Sequence, residues 1–486
     1  MPPQRASASG PPEGDPPEAP DGSSSTPRSR GWFSMAKEGY EDIVKAIIRP
    51  PRAPYTLADL GPSEFEYGGK AFMREDCQVE NARGLKLEGS FWRRRELPEV
   101  GAPCVIYMHG NASCRAEALQ IMAAVFATGA NVFSFDFAGC GLSTGEFISL
   151  GWHEKDDVAA VIEHLRRTGL VTSIALWGRS MGSVSAVLQA SRDASIAGLV
   201  LDSPFASLEQ VALELVTSAP ETVPGAPHVP PFLVKTALTF VAGSVKRRAN
   251  FDLYKLRPVD AAKTCFVPAL FGCGDADVLV RPHHSQLIYD AYAGDKNLVK
   301  FSGDHNDVRP GFFNDSACIF LKQVLLIPEE LALHGVPVDR DNRPMHIGYA
   351  FHAAANGGGG TRYSGGMGRA HQLEAQRLVM AQRLAMMREQ EDAMLMQAIA
   401  ASLEDGRSGG GPRDGAHIGA REPVSDPPPA AAQDDAKPQS EAQGMPRPPT
   451  APPLEPLAAA VPGGDDDEDE ALMREAIRLS LEAAPP

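Results

Sequence analysis

Cysteine is scarce in this sequence of 486 residues, and the cysteines that occur are not grouped. The seven residues are scattered, with no CxxC pair and no spacing typical of a zinc site. A secreted domain that depended on disulfides would carry a denser framework of cysteines. We therefore expect reduced thiols in an intracellular compartment.

Long apolar runs and clustered positive charges are missing as well. The longest apolar stretch, residues 230–245, is interrupted by Lys235 and is too short to span a bilayer. Residues 1–20 contain no apolar signal core, and Pro2 stands where N-myristoylation requires glycine. The net charge of −16 argues against nucleic acid as a partner, because phosphate binding needs clustered Lys and Arg. We expect a soluble protein of the cytoplasm or the nucleus.

Proline and glycine are abundant but unevenly distributed, and this distribution divides the chain. Residues 1–32 carry too little apolar surface to fold, which predicts disorder. Residues 33–345 have a globular pattern and form the predicted domain. The remaining predicted segments are a Gly-rich linker at 346–370, a helical segment at 371–406, a disordered linker at 407–464 and a last helix at 465–484.

Short β-rich runs alternate with helical periodicity inside the predicted domain. This alternation is typical of an α/β fold with a mostly parallel central sheet, buried on both faces and flanked by helices. Residues 204–262 break the rhythm with two helix-like pieces around a Pro-rich stretch, which we interpret as a small helical lid. The predicted strands are 103–108, 131–136, 173–177, 197–201, 267–272 and 298–301.

A G-x-S-x-G pattern identifies the predicted nucleophile. In Gly178-Arg179-Ser180-Met181-Gly182, the serine follows an apolar strand and opens a helical stretch. A serine on so tight a strand-to-helix turn exposes its hydroxyl, and the two flanking glycines avoid side-chain clashes there. We therefore assign Ser180 as the nucleophile.

The same chemistry needs a base and an orienting acid, expected in the chain order serine, acid, histidine. His305 lies in the loop after the last predicted strand, from which it can reach Ser180. The preceding loop offers two carboxylates, of which Asp277 is our choice for the acid and Asp275 the alternative. Asp202, at the end of the strand after the nucleophile, is a weaker candidate that we expect to stabilise the loop leading to the lid.

Two backbone N–H groups are predicted to stabilise the tetrahedral oxyanion. One belongs to Met181, directly after the nucleophile and near a helix N-terminus. The other belongs to Asn111, in the loop after the strand at 103–108, where His109 is expected to pack or to shape the loop. Since the Ser-His-Asp set supplies its own base, we predict no cofactor and no metal.

As an ordered set, these motifs resemble the α/β-hydrolase superfamily over about residues 60–325. Within it they are similar to the serine-hydrolase branch of Bem46-like proteins and depalmitoylating thioesterases. The resemblance implies that a small acyl substrate, an ester, thioester or amide, is hydrolysed through an acyl-serine intermediate. The depalmitoylating relatives carry an N-terminal cysteine cluster, whereas the first cysteine here is Cys77, which argues against a membrane-resident depalmitoylase. The motifs are HGN, FDFAGCGLSTG, GRSMGS, LDSPFASL, GCGDADVLV and GDHND.

Two short helices with the same layout are predicted near the end of the chain. Residues 389–406 and 465–484 begin with acidic residues, which favour the helix dipole, and then share the spacing Ala-Ile-x-x-Ser-Leu-Glu. In the second copy Leu472, Ala476 and Ser480 fall four apart, on one helix face. So short a helix is marginal in water, and its apolar stripe indicates a partner.

Both copies resemble the ubiquitin-interacting motif, so we expect ubiquitin or ubiquitinated proteins as partners of a monomeric hydrolase. The alternative is a catalytically inactive hydrolase scaffold that acts as a ubiquitin-binding adaptor, and the complete Ser, His and acid set favours the enzyme. By this resemblance the ubiquitin-binding residues are Ala398, Ile399 and Ser402 in the first copy and Leu472, Ala476, Ile477 and Ser480 in the second.

Overall fold

A nine-stranded sheet is the centre of the fold in the computed structural model, which describes residues 32–222, 231–339, 343–348 and 350–351. Its order is β1-β2-β3-β5-β4-β6-β7-β8-β9. The strands are β1 (Glu64–Tyr67), β2 (Lys70–Glu80), β3 (Lys86–Arg94), β4 (Ala102–Met108), β5 (Asn131–Phe135), β6 (Val171–Arg179), β7 (Gly198–Asp202), β8 (Ala269–Gly274) and β9 (Lys296–Phe301).

Helices cover both faces of this sheet. Apolar side chains of α3, α4 and α8 pack on one face, and those of α2 and α9 pack on the other. In the part of the chain that is described, the α-helices are α1 (Trp32–Ile48), α2 (Leu119–Thr128), α3 (Glu154–Thr168), α4 (Met181–Ala190), α5 (Leu208–Thr222), α6 (Pro231–Ala249), α7 (Pro258–Ala262), α8 (Pro282–Ala291) and α9 (Gly311–Val324).

The six strands from β5 to β9 in the sheet order are mutually parallel, as predicted. Every residue of β4, β5, β7 and β8 is buried, which explains why these strands are nearly continuous apolar runs in the sequence. The predicted fold class, a mostly parallel sheet flanked by helices, is confirmed.

An antiparallel extension, β1 to β3, was not predicted. It joins the parallel part through antiparallel pairing of β3 with β5. Strand β2 carries charged residues along much of its length, and only Phe72 and Val79 are buried in it. Strand β2 therefore has too few apolar residues to be recognised from the sequence as a strand of the core.

Two long helices, α5 and α6, are inserted between β7 and β8, where the sequence predicts a helical lid. They share a buried apolar cluster with α1, to which Val44 and Ile48 contribute. Polar contacts join the same helices, because Tyr40 Oη lies 2.8 Å from Ser244 Oγ and Arg248 Nη2 lies 2.6 Å from Glu41 Oε1. Helix α1 is thus packed on the inserted helices.

The packed domain continues past the predicted boundary at residue 345. Ile347 and Ala350 are buried, and the ring of Phe351 meets that of Phe65 edge-on, with centroids 5.0 Å apart. Their apolar side chains complete the cluster beside β1 and β2. The predicted segments at 1–31 and 352–486 lie outside the described residues, and with them the ubiquitin-binding residues Ala398, Ile399, Ser402, Leu472, Ala476, Ile477 and Ser480.

Candidate active site

Ser180 occupies the turn between β6 and α4, with φ 50° and ψ −116°. Positive φ is uncommon for a residue with a side chain and costs on the order of 1–3 kcal/mol. The surrounding structure holds it there, since the Ser180 N–H donates to the carbonyl of Asp202, 2.8 Å away. The turn therefore has the backbone geometry of a nucleophile elbow.

The glycines on either side of Ser180 leave no room for a side chain. A Cβ on Gly178 would lie 2.3 Å from the carbonyl carbon of Gly182, and one on Gly182 would lie 2.2 Å from the carbonyl oxygen of Met108. Both approaches are closer than real Cβ contacts. Strand β4, the elbow and the first turn of α4 can pack this tightly only with glycine at these two positions.

The structure brings His305 and Asp277 together. His305 Nδ1 lies 2.7 Å from Asp277 Oδ2, and both side chains are buried. The other carboxylate oxygen of Asp277 accepts the backbone N–H groups of Leu279 at 3.1 Å and Val280 at 2.7 Å. These donors fix the carboxylate, which in turn keeps the proton of His305 on Nδ1 and leaves Nε2 as the basic nitrogen.

The two other candidate acids have different partners. Asp275 is exposed and accepts from Gly303 N–H at 3.2 Å and Ser302 Oγ at 3.1 Å, so it holds the loop after β9. Asp202 is buried against Arg309, whose Nε lies 2.8 Å from its Oδ2. Burial would raise the pKa of Asp202, but the Arg309 and Arg179 guanidiniums outweigh it and hold that pKa below its ordinary value.

The loop after β4 passes directly beside the elbow. A Cβ placed on Gly110 would lie 3.9 Å from Ser180 Cβ, and Asn111 follows it in the chain. His109 shapes this loop, because its Nδ1 lies 2.6 Å from the Gly110 carbonyl and its Nε2 accepts the Phe137 N–H at 3.1 Å. His109 thus has both ring nitrogens occupied by the backbone, which matches the structural role predicted for it.

Sequence reasoning assigned no role to two buried arginines at this site. Arg179 Nη2 donates to the carbonyl of His305 at 2.5 Å, and Arg309 Nη2 donates to the same oxygen at 2.9 Å. Arg179 lies within the elbow motif, and Arg309 closely follows His305 in the chain. The bond from Arg179 to the His305 carbonyl joins distant chain segments, and no local sequence pattern predicts such a bond.

A comparison with known protein families matches part of this chain. Residues 102–240, from β4 into α6, match the family Hydrolase_4, described as serine aminopeptidase, S33. The match includes the loop after β4, the elbow and the strand that follows it. Over these residues the chain is similar to members of the α/β-hydrolase superfamily.

Individual relatives of this chain are distant. The α/β hydrolase domain-containing protein aho-3 of Caenorhabditis elegans is 28% identical over 185 residues, which are 36% of this chain and 55% of that protein. The chain therefore spans about half the length of this relative. The uncharacterized Bacillus subtilis protein YqkD is 26% identical over 232 residues, covering 47% of this chain and 71% of its own length.

Among solved structures, the Pyrococcus furiosus esterase Pf2001 superposes with a TM-score of 0.44 at 22% identity, covering 57% of this chain and 98% of that chain. Est1E from Butyrivibrio proteoclasticus, determined with ferulic acid bound, superposes with a TM-score of 0.38 at 20% identity. That match covers 51% of this chain and 99% of Est1E.

One further cluster of the described residues has the composition of a metal site. Ligand atoms of Glu214, His283 and His284 lie within 4.8 Å of one another, between α5 and the start of α8. However, the Ala206 N–H donates to His284 Nδ1 at 3.3 Å, which puts the proton of the neutral ring on Nε2, 3.2 Å from Glu214 Oε2. A metal would need that nitrogen unprotonated, so we interpret the cluster as an acid–histidine contact between α5 and α8.

Proposed function

We propose that this protein is a serine hydrolase that cleaves a small ester, thioester or amide through an acyl-serine intermediate, as an esterase or thioesterase rather than a peptidase. The observation that carries the proposal is the 2.7 Å contact between His305 Nδ1 and Asp277 Oδ2. This contact joins the loops after β8 and β9, at the carboxyl edge of the sheet. Strand β6 ends at the same edge, directly before the strained Ser180. We propose that Ser180, His305 and Asp277 act together as a Ser-His-Asp triad.

In the acylation step, Ser180 Oγ attacks the carbonyl carbon of the substrate while His305 Nε2 takes the hydroxyl proton. Asp277 stays ionised and stabilises the imidazolium through Nδ1–H. The carbonyl oxygen becomes an oxyanion, for which the backbone N–H groups of Met181 and Asn111 are the proposed donors. His305 then gives its proton to the departing alcohol, thiol or amine as the bond to the acyl carbon breaks.

In the deacylation step, the roles repeat with water as the nucleophile. His305 Nε2 takes a proton from a water molecule that attacks the acyl-serine ester. Collapse of the second tetrahedral intermediate returns the proton to Ser180 Oγ and releases the carboxylic acid. No step needs a cofactor or a metal ion, because the triad supplies the nucleophile, the base and the acid.

A fluorophosphonate probe tests the nucleophile directly. We expect rapid covalent labelling of the wild-type protein, none of Ser180→Ala and strongly slowed labelling of His305→Gln. Ser195→Ala, which changes an exposed serine outside the site, is the matched control and should label like the wild type. Equal labelling of Ser180→Ala and wild type would refute the assignment, and a panel of acyl esters and thioesters of increasing chain length then defines the substrate.

We further propose that the C-terminal motifs direct the hydrolase to ubiquitinated proteins in the cytoplasm or nucleus. Each copy is expected to place its alanine on the apolar patch of ubiquitin and its serine against the ubiquitin backbone. The linker of about 60 residues spans on the order of 40–45 Å as a flexible chain, so both copies can engage one ubiquitin chain. This bivalency strengthens two weak contacts.

A ubiquitin pull-down tests the tail independently of catalysis. The quadruple variant Ala398→Asp, Ser402→Asp, Ala476→Asp, Ser480→Asp should lose binding and keep the wild-type rate on a small ester. Arg478→Ala lies off the predicted contact face and is the matched control. Retained binding by the quadruple variant would contradict the motif assignment, and ubiquitin binding by a protein that no serine probe labels would favour the adaptor alternative.

A further inference from the structure

Arg179 connects the proposed nucleophile to the proposed base. It is the residue immediately before Ser180, and its side chain is buried beneath the site. One end of its guanidinium, Nη2, donates to the carbonyl of His305 at 2.5 Å. The elbow and the loop after β9 are therefore joined by a hydrogen bond to the backbone of His305 itself.

The other end of the same guanidinium reaches the loop after β4. Arg179 Nη1 lies 3.6 Å from Oε1 of Glu117, which is fully buried. Glu117 Oε2 accepts the Gly110 N–H at 3.3 Å, and its Oε1 accepts the hydroxyl of Tyr107 at 3.0 Å. Gly110 directly precedes Asn111, so this carboxylate orients the segment that carries a proposed oxyanion donor.

The carbonyl of His305 is held from a second side by Arg309. Arg309 Nη2 donates to it at 2.9 Å, while Arg309 Nε is paired with Asp202, 2.8 Å away. Asp202 in turn accepts the Ser180 N–H through its own carbonyl. Two arginines thus fix one backbone oxygen. Arg309 is also paired with Asp202 at the end of β7, and Arg179 with Glu117 in the segment after β4.

We propose that Arg179 is a positioning residue that sets the distances among Ser180, His305 and the Gly110–Asn111 loop. The inference rests on the proposed hydrolase activity. A buried ion pair is often no more stabilising than apolar residues of equal volume, so stability alone does not account for an arginine here. A guanidinium has donors on separate nitrogens at fixed angles, so it reaches acceptors on two of its sides, whereas the ammonium of lysine presents all its donors from one nitrogen.

Four variants separate positioning from stability: Arg179→Met, Glu117→Gln, the double variant with both changes, and Arg192→Met as a control at an exposed arginine paired with Asp156. The measurements are kcat and KM on a neutral p-nitrophenyl ester, together with Tm. Arg179→Met should lower kcat by about 10²-fold with KM within about 3-fold, because a shift of about 1 Å in catalytic groups has an effect of this size. Its Tm should also fall, since the buried Glu117 loses that counter-charge.

The double variant is the decisive one. Without the Glu117 charge its Tm should return towards the wild-type value, while kcat should stay low because the His305 carbonyl still lacks its Arg179 donor. Recovery of kcat together with Tm would overturn the proposal and leave Arg179 a purely structural role. If Arg179→Met does not fold, Arg179→Lys is the fallback variant, because it keeps the charge but has a single donor nitrogen. We expect this variant to lose about 10-fold in kcat. An unchanged kcat would equally overturn the proposal.

Failure of the proposed activity has a different signature. If Ser180→Ala turned over the ester as fast as the wild type, the hydrolase assignment itself would fall. If turnover depends on Ser180 but the Arg179 variants keep the wild-type kcat, only the positioning role is refuted.

Discussion

The contact between Asp277 and His305 can be compared with the contacts that Glu214 makes to two adjacent histidines. Glu214 Oε1 lies 2.9 Å from His283 Nε2, and Glu214 Oε2 lies 3.2 Å from His284 Nε2. Both sites are acid–histidine contacts of similar length, and both include a buried ring. Distance alone therefore does not tell a catalytic pair from a structural one.

The difference lies in what fixes each carboxylate and each ring. Asp277 is fixed by backbone N–H donors of its own loop, whereas Glu214 lies on α5 and accepts from the flexible side chain of Gln210 at 2.9 Å. The ring of His284 is fully buried, with one nitrogen facing Glu214 and the other accepting a backbone N–H. His305 faces its acid with Nδ1, which leaves Nε2 for chemistry.

The largest expected effect comes from removing the acid. Asp277→Asn should lower kcat/KM on a p-nitrophenyl ester by about 10³–10⁴-fold, because an amide favours the wrong tautomer of His305. Asp275→Asn, two residues away, should cost less than about 5-fold, since the Asp275 carboxylate accepts hydrogen bonds only from Ser302 and Gly303 among the described residues. Steady-state kinetics of both variants measure this, and comparable losses would mean that the two carboxylates share the role.

An intermediate effect is expected on stability below neutral pH, through His284. Burial lowers the pKa of His284 to about 4, although Glu214 opposes the shift. In the unfolded chain the ring takes up its proton near pH 6.5, whereas the folded protein resists protonation, so stability is lost as pH falls from about 6.5 to about 4. This loss should be at most about 3 kcal/mol, because each pKa unit corresponds to about 1.4 kcal/mol.

The comparison that isolates this effect is the slope of Tm against pH in wild type and in His284→Asn. The variant should show the flatter decline between pH 6.5 and 4, whatever its absolute Tm. Asp157, whose pKa burial raises to about 6, acts in the opposite direction but is common to both proteins. Parallel curves would show that His284 does not contribute.

The smallest effect is expected from loosening the second acid–histidine contact. Glu214→Gln removes the charge that faces His283 and His284, which should weaken the attachment of α5 to α8 by about 1 kcal/mol. Amide hydrogen exchange should then speed up by about 5-fold in α5 and remain unchanged in α9, and kcat should stay near the wild-type value. A large loss of kcat would mean that this contact takes part in the chemistry.

The parallel half of the sheet was predictable from the sequence because its strands are buried on both faces. All six predicted strands match β4 to β9, with ends within two residues of those observed. Strands β1 to β3 escaped prediction because β2 alternates exposed charged residues with only a few buried ones. The packing of α1 on α6 depends on which surface an amphipathic helix meets, and no local pattern determines that.

The candidate site also has a part that the sequence predicts and a part that it does not. The elbow could be recognised because Gly178, Ser180 and Gly182 are close in sequence and their spacing follows from backbone sterics. The choice between Asp275 and Asp277 depends on the direction of two side chains in one loop, which no sequence pattern determines; in the structure it is Asp277 that contacts His305. The Arg179 and Glu117 contact joins residues far apart in the chain, so it could not be anticipated.

The attachment of α1 has a mechanical consequence for the inserted helices. Helix α6 is bound to α1 by Glu41 and Arg248, and the carbonyl of Ile48 at the end of α1 accepts the Ile148 N–H at 2.8 Å. Arg52, just beyond, donates to the carbonyl of Ser143 at 2.5 Å. An outward movement of α6 would therefore have to break the Glu41–Arg248 pair, or else pull α1 and Arg52 away from the loop before α3. The contacts of α1 with this loop thus restrain α6.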